Sequence, residues 1–282
     1  MLADDLAPMR VAAGLTTRRL GRDYRLLAVC ASTSDEVARL GRAGAGEGLL
    51  VVAERQTHGR GRLGRVWYSP PGDNLYFSLL LRPPIPAALV PPLTLLVGAV
   101  AAEVLVAAGA AARLKWPNDV LLPTPAGPRK AAGILTEMAT ERDRVRHVVV
   151  GVGINVRGDT FPPELAATAT SLHLATGQLL DRAHLLTALL NTLERAYDTF
   201  IAAGPADALA RWRAHAALGG RCRIERDGLI VEGTAEDVDQ EGALLVRDDN
   251  GTLRRVLSGE IASSPDPLPD LPLPGPPGRG SG

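Results

Sequence analysis

Between residues 59 and 65 the chain reads Gly59-Arg60-Gly61-Arg62-Leu63-Gly64-Arg65, three guanidinium groups and three glycines in seven positions. Glycine lets backbone N–H groups come close to an oxyanion, and arginine grips carboxylate or phosphate through paired hydrogen bonds. The run is a candidate anion cradle. It is not a Walker loop, because Val66-Trp67-Tyr68-Ser69-Pro70-Pro71 follows in place of Gly-Lys-Ser/Thr and does not open a helix. Taken alone, it fits a solvated basic turn or loose RNA contact equally well.

Three later segments add chemistry. Lys115-Trp116-Pro117-Asn118-Asp119 groups a cation, an amide and a carboxylate at a strand end, where a nucleotide phosphate or its magnesium ion could be held. Lys130-Ala131-Ala132-Gly133-Ile134-Leu135 opens a strand with a lysine and permits close approach of a ligand at Gly133. Gly151-Val152-Gly153-Ile154-Asn155-Val156 is an apolar strand with two glycines and one amide. Of 31 basic residues only Lys115 and Lys130 are lysine. A compact ammonium kept against so strong an arginine bias suggests a need for its shape.

These residues need elements to position them. Arg25 to Cys30 reads as a strand, and Ser32 to Arg42 as a helix with Ser32 or Ser34 as N-cap and Asp35 and Glu36 in its first turn. Leu49 to Ala53 and Asn74 to Leu81 read as strands flanking the arginine loop. An alanine-rich helix over Leu93 to Ala112 precedes short strands near Arg113 to Trp116 and Val120 to Leu122. Lys130 to Ala139 and Val145 to Val156 could pair as a hairpin. Helices open at Asp181 and Pro205, and four strand-like stretches, 221 to 226, 229 to 235, 242 to 247 and 252 to 257, make a small barrel candidate. The domain reading is an extension over 1–22, a main domain over 23–218, the barrel over 219–263 and a Pro-rich tail over 264–282. That tail has seven prolines in nineteen residues and is expected to be disordered.

Composition narrows the class. With 282 residues and 46% hydrophobic side chains the chain can bury a large core, and 31 basic against 31 acidic residues removes the generic case for a nucleic-acid or membrane-surface protein. Two isolated cysteines, Cys30 and Cys222, give no disulfide framework, and five scattered histidines give no metal spacing. Residues 1 to 10 lack an apolar signal core, so the expected location is the cytoplasm. The segment from Leu93 to Ala112 is apolar enough to span a membrane but carries Glu103 at its centre, so it reads as a buried helix.

The four segments, in this order and preceded by Ser32-Thr33, resemble the catalytic domain of biotin protein ligases, with coverage from about Tyr24 to a family-like Gly259-Glu260-Ile261. The resemblance implies an α+β fold: a mixed β-sheet packed against helices, as in class II synthetase-like biotin/lipoate ligases, followed by an SH3-like β-barrel. It implies ATP-dependent activation of biotin to biotinyl-5′-AMP with release of pyrophosphate, then transfer to a lysine of a biotin carboxyl carrier domain. Biotin would be held by Ser32, Thr33, Ser34, Gln56, the backbone around Arg60 and Gly61, Arg62, Lys130, Gly133 and Gly153. ATP would be held by Arg62, Arg65, Trp67, Lys115, Asn118, Lys130 and Asn155, with Trp67 against adenine. The resemblance implies that Lys130 and Arg62 would be the catalytic pair, stabilising charge where carboxylate and α-phosphate meet. Asp119 is assigned to Mg2+ or to ordering the loop.

The same resemblance sets limits. The helix-turn-helix domain of many relatives has no room here, so no specific DNA partner is expected, nor a membrane, and a homodimer stays open. The stretch between Asp119 and Lys130 looks long, which puts Lys115 relative to Lys130 in doubt. Glycines and like charges should leave the loop over 59–65 mobile until an anion binds. A lipoate ligase is the nearest rival, although the arginine loop and the Ser/Thr/Gln set favour biotin. A non-enzymatic anion or RNA module is the other, opposed by neutral charge and the lack of interleaved aromatics.

Overall fold

The computed structural model describes residues 5–141, 144–226 and 229–262, so the Pro-rich segment read at 264–282 lies outside the described residues. In chain order the elements are α1 (Pro8–Gly14), β1 (Tyr24–Leu27), α2 (Thr33–Arg42), β2 (Leu50–Ala53), β3 (Leu75–Leu81), α3 (Val90–Ala107), β4 (Arg113–Lys115), β5 (Asp119–Leu122), β6 (Arg129–Glu141) and β7 (Arg144–Ile154). After these come α4 (Pro163–Ala166), α5 (Leu172–Thr176), α6 (Arg182–Ala203), α7 (Ala206–His215) and strands β8 (Arg221–Arg226), β9 (Leu229–Val238), β10 (Leu244–Arg247), β11 (Leu253–Val256) and β12 (Glu260–Ala262).

A seven-stranded sheet runs β1-β2-β3-β7-β6-β5-β4. Only β1 and β2 are parallel, joined through α2, and every other neighbour is antiparallel, which makes the sheet mixed. Strand periodicity of two divides its faces. Leu50, Val52, Leu75, Phe77, Leu79, Val148, Val150 and Val152 enter the large core under α3, α6 and α7. The intervening Val51, Leu80 and Val149 pack with Val37 of α2 in a smaller core on the other face. Because α2 covers only part of that second face, the rest is free to form a site.

Local chemistry explains the helices that matter. Ser32 caps α2, its side chain accepting from the Asp35 N–H at 3.4 Å, and Asp35 and Glu36 complement the positive helix end. Thr33, Val37 and Gly41 recur every four residues on the buried stripe. Asp181 caps α6 by accepting from His184 N–H at 2.8 Å. The helix α3 is apolar around its whole circumference and thirteen of its eighteen residues are buried inside the protein, as its position between the sheet and α6 and α7 requires. Its single acid, Glu103, is paired with Arg211 of α7 at 3.0 Å.

The second sheet, β11-β10-β9-β8-β12, is antiparallel throughout, and β12 is a strand the sequence reading did not separate. It is docked on the main domain: Trp116 Nε1 donates to Gly242 O at 3.0 Å, and Arg213 reaches Asp237 and Val238 O. Gly242 sits at φ 76°, and an added Cβ would come within 3.1 Å of Pro92 N, so both turn geometry and close approach require glycine. The segment before Asp23, read from the sequence as an N-terminal extension, contributes Leu6, Val11, Leu15 and Leu20 to the main core. Its turn over 18–20 is tied down by Glu194 of α6, whose carboxylate accepts the N–H groups of Arg18, Arg19 and Leu20 at 2.6 to 2.9 Å.

Candidate active site

On the open part of the sheet's second face, register aligns Tyr76, Gly153, Gly133, Asp119 and Lys115 as successive cross-strand partners on β3, β7, β6, β5 and β4. The row beside it contains Ser78 and Gly151. Where a strand would normally raise a side chain, Gly133, Gly151 and Gly153 leave a floor at backbone level. Above this floor is a cleft of about 650 Å3. All sixteen positions expected from the sequence line it: Ser32, Thr33, Ser34, Gln56, Arg60, Gly61, Arg62, Arg65, Trp67, Lys115, Asn118, Asp119, Lys130, Gly133, Gly153 and Asn155.

One end of the cleft is a polar corner. Gln56 Oε1 accepts from Thr33 N at 2.8 Å and Thr33 Oγ1 at 3.2 Å, and Gln56 Nε2 donates to Ser69 Oγ at 3.0 Å. Ser78, a hydroxyl inside the apolar strand β3, lies 2.8 Å from Thr33 Oγ1 and 3.0 Å from Ser34 Oγ. The one hydroxyl of an aliphatic and aromatic run, Ser78 is the signal in the sequence that marks this corner. Ser32, Thr33 and Ser34 are all buried, so a ligand reaching them must satisfy hydroxyls that water reaches poorly.

The other end is cationic. Lys130 Nζ is 2.6 Å from Asp119 Oδ1 and 5.3 Å from the Trp67 ring centroid. Arg62 Nη1 donates to Asn118 Oδ1 at 3.3 Å and to Gly259 O, from the loop before β12, at 3.2 Å. Arg62 and Lys130 are thus held by adjacent residues, Asn118 and Asp119, at one spot. Lys115, Asp119's register partner, borders the same cleft as Lys130. The Lys130 backbone is clamped by the 161–170 segment, its N–H donating to Thr168 O and its carbonyl accepting from Thr170 N. That segment supplies Phe161, Leu165 and Ala169 to the wall, and the second sheet adds Cys222, Ala235 and Ile261. Sequence reading left both walls unassigned, apart from Gly259-Glu260-Ile261.

Several expectations need refinement. Asp119, expected as a magnesium or loop-ordering carboxylate, is paired with Lys130, and among the described residues no three His, Cys, Asp or Glu side chains group to hold a metal. Asn118 and Asn155 each spend their amide N–H on the backbone, at Ile134 O and Thr170 O, and so brace the strands as well as lining the cleft. The Arg60 guanidinium is bound to Asp35 and Glu137. Within the arginine loop Gly61 N donates to Arg65 O at 2.7 Å and Trp67 N to Gly59 O at 2.8 Å. At its exposed tip Leu63 has φ 54°, a left-handed conformation that strains a non-glycine residue by about 1–2 kcal/mol. Trp67 lies flat on the floor: a Cβ built on Gly153 would fall 2.4 Å from its Cε2. Its Nε1 is buried without a hydrogen-bond partner, a group that normally finds one.

Cys30, beside this corner, is a poor nucleophile: burial, with Glu36 and Asp35 nearby, pushes its thiol up to about 11. The arrangement can therefore bring two anions together against the Arg62 and Lys130 cations.

Comparisons with known proteins agree with that geometry. The Biotin/lipoate A/B protein ligase family matches residues 27–155, and the Biotin protein ligase C terminal domain matches 217–262. The bifunctional ligase/repressor BirA of Bacillus spizizenii is 38% identical over 91% of this chain and 78% of its own length. The biotin--[acetyl-CoA-carboxylase] ligase of Mycobacterium tuberculosis is 35% identical over 86% of this chain and 90% of its own. Among solved structures, biotin protein ligase from Aquifex aeolicus in complex with biotin and ATP aligns with TM-score 0.72 and 30% identity, covering 86% of this chain and 98% of that one. Motifs, cleft, second sheet and relatives coincide, and the chain belongs to the biotin protein ligase family, whose members are ligase enzymes.

Proposed function

We propose that this enzyme activates biotin to biotinyl-5′-AMP and then transfers the biotinyl group to one lysine of a carboxylase carrier domain. The observation that carries the reading is the meeting of Arg62 and Lys130 at one end of a glycine-floored cleft whose other end is a buried Ser/Thr/Gln corner. A ureido ring offers one carbonyl acceptor and two N–H donors, which suit the hydroxyls of Ser32, Thr33 and Ser34 and the Gln56 amide. A ligand without that ring leaves these groups unpaired, which disfavours lipoate. The apolar bicycle fits over Gly133 and Gly153, in the space the Trp67 indole now fills, so Trp67 must lift for it to enter. Once lifted, the indole can lie over the adenine.

In the first step a biotin carboxylate oxygen attacks the α-phosphorus, the bond to the β-phosphate oxygen breaks, and pyrophosphate leaves with the electron pair. The main obstacle is repulsion between anions. Arg62 and Lys130 would offset it at the reacting atoms, while Arg65 and Lys115 face the rest of the triphosphate. Magnesium would arrive with ATP. In the second step the acceptor lysine nitrogen attacks the carbonyl carbon, AMP leaves with the electrons of the broken C–O bond, and the amine loses a proton. Orientation and charge stabilisation suffice for both steps.

The test is single-turnover labelling of a carrier domain with radiolabelled biotin and ATP, with lipoate as competitor. Labelling of one lysine, undiminished by excess lipoate, is expected. Labelling that lipoate abolishes, or that occurs without ATP, would refute the reading.

A further inference from the structure

The buried carboxylate of Asp5 has no part in the chemistry above, yet it is the centre of an ionic cluster directly behind the cleft. Its Oδ1 accepts from Arg182 Nε at 2.9 Å and Nη2 at 2.6 Å, and its Oδ2 from Arg157 Nη2 at 2.5 Å and Arg182 N at 3.2 Å. Arg182, fully buried, spends its remaining donors on Glu54 Oε2 at 2.8 Å, Glu54 Oε1 at 3.0 Å and Asn74 O at 3.0 Å. Arg157 Nε donates to Leu180 O at 3.0 Å, and Asn74 Oδ1 accepts from Val156 N at 2.9 Å. Two guanidiniums face two carboxylates, so the cluster is neutral. Burial pushes Asp5 up, but the hydrogen bonds and charge of Arg182, with Arg157 behind them, prevail and hold it below the usual carboxylate range.

What the cluster joins is informative. Glu54 follows the last residue of β2 and stands two before Gln56; Asn74 immediately precedes β3; Arg157 stands two after Asn155 at the end of β7. Those strand ends carry the polar corner and the Asn155 side of the cleft. The sheet ladder pairs these strands as far as Ala53 with Tyr76 and Leu75 with Ile154; beyond those pairs Glu54 and Arg157 are tied by the Arg182 and Asp5 forks, whose directed donors fix the path of the chain toward Gln56 and back to Asn155. The cluster's central acid comes from a segment that has no atom in the cleft itself.

We propose that Asp5 is a positioning residue for ligand binding: through Arg182 and Arg157 it sets the separation of Gln56 and Asn155, and hence the fit of the acid and the nucleotide together. This inference rests on the ligase reading of the cleft. Asp5→Asn keeps the shape and removes the charge, Asp5→Ala removes both, and Leu209→Ala, in the core of α7, serves as a control for lost stability alone. Each full-length variant is assayed by ATP–pyrophosphate exchange below its unfolding temperature, with KM for biotin, KM for ATP and kcat determined separately.

Both Asp5 variants should raise the two KM values on the order of tenfold, the scale of a sub-ångström misplacement, while Leu209→Ala lowers Tm and leaves both KM values unchanged. Asp5 variants with a lowered Tm and wild-type KM values would overturn the positioning role. If neither Asp5 variant folds, Arg157→Lys, which keeps the charge but loses the fork, is read by the same criterion. A wild-type chain without biotin-dependent exchange would refute the ligase reading instead, so the two failures are distinguishable.

Discussion

Replacing Gly153 by alanine tests the floor of the cleft directly. The new methyl would stand 2.4 Å from Trp67 Cε2, 2.5 Å from Nε1 and 2.8 Å from Cζ2, where ordinary contact begins near 3.4 Å. The indole must therefore rise by about 1 Å or more, an overpacking that typically costs about 1–3 kcal/mol. Because a bound ring would occupy the same level, the same penalty should appear in biotin binding, as an increase in KM of roughly 5- to 150-fold. Trp116 and Trp212 are buried elsewhere, so a red shift of tryptophan emission in the free variant reports Trp67 leaving the floor. Gly133→Ala should behave more mildly, since its nearest neighbours are farther, the Trp67 ring edge at 3.0 Å and the flexible end of Lys130 at 3.1 and 3.2 Å. Gly98→Ala within α3, with nothing closer than 3.6 Å, should leave KM unchanged. Wild-type emission and wild-type biotin KM in Gly153→Ala would show that neither Trp67 nor the ligand uses this floor.

Three further outcomes follow from named contacts. Glu194→Gln turns an amide toward backbone N–H groups that a carboxylate now satisfies, and should lower stability by about 2 kcal/mol, or roughly 4–8 °C in Tm by calorimetry; an unchanged Tm would contradict the anchoring role. Burial pushes Glu194 up, but the N–H groups of Arg18, Leu20 and Arg19 more than offset it, and Asp5 is likewise held low. A depressed folded-state value stabilises above the unfolded one, near pH 4, and that stability is lost as pH falls through the folded one, so Tm should fall below about pH 4; a flat Tm from pH 6 to 3 would refute this. Asp119→Asn breaks a partly exposed pair and should change stability by less than about 1 kcal/mol. It should alter the exchange rate without changing the magnesium concentration for half-maximal rate; a rise in that concentration would return Asp119 to the metal.

Much of this molecule is written locally in its sequence. Ser32 and Asp181 announce their helices by capping chemistry, the apolar and aromatic run of Leu75 to Leu81 announces β3, and two lysines beside twenty-nine arginines mark the cationic end of the cleft. The candidate residues were legible because their types suit anions and their strands carry glycine where a ligand must come close. What stayed hidden depends on distant partners. Asp5 has no local pattern that distinguishes it from a surface acid until Arg157 and Arg182 surround it. Likewise, Arg62's bond to Gly259 O, Trp67's seat on Gly153 and the 161–170 wall along Lys130 come from chain crossings that no window of residues contains. The short strand β12 escapes because three residues carry too little periodicity to be separated from the loop before it.

If Arg62 and Lys130 neutralise one spot where an acid and a nucleotide are joined, adenylation must depend on them. Biotin-dependent ATP–pyrophosphate exchange, measured on the wild type and on Lys130→Ala of matched Tm, tests it most directly. The wild type should exchange only with biotin present, and the variant should lose at least roughly 2.7 kcal/mol of transition-state stabilisation, about a hundredfold in rate. Exchange by Lys130→Ala at the wild-type rate, or wild-type exchange indifferent to biotin, would contradict it.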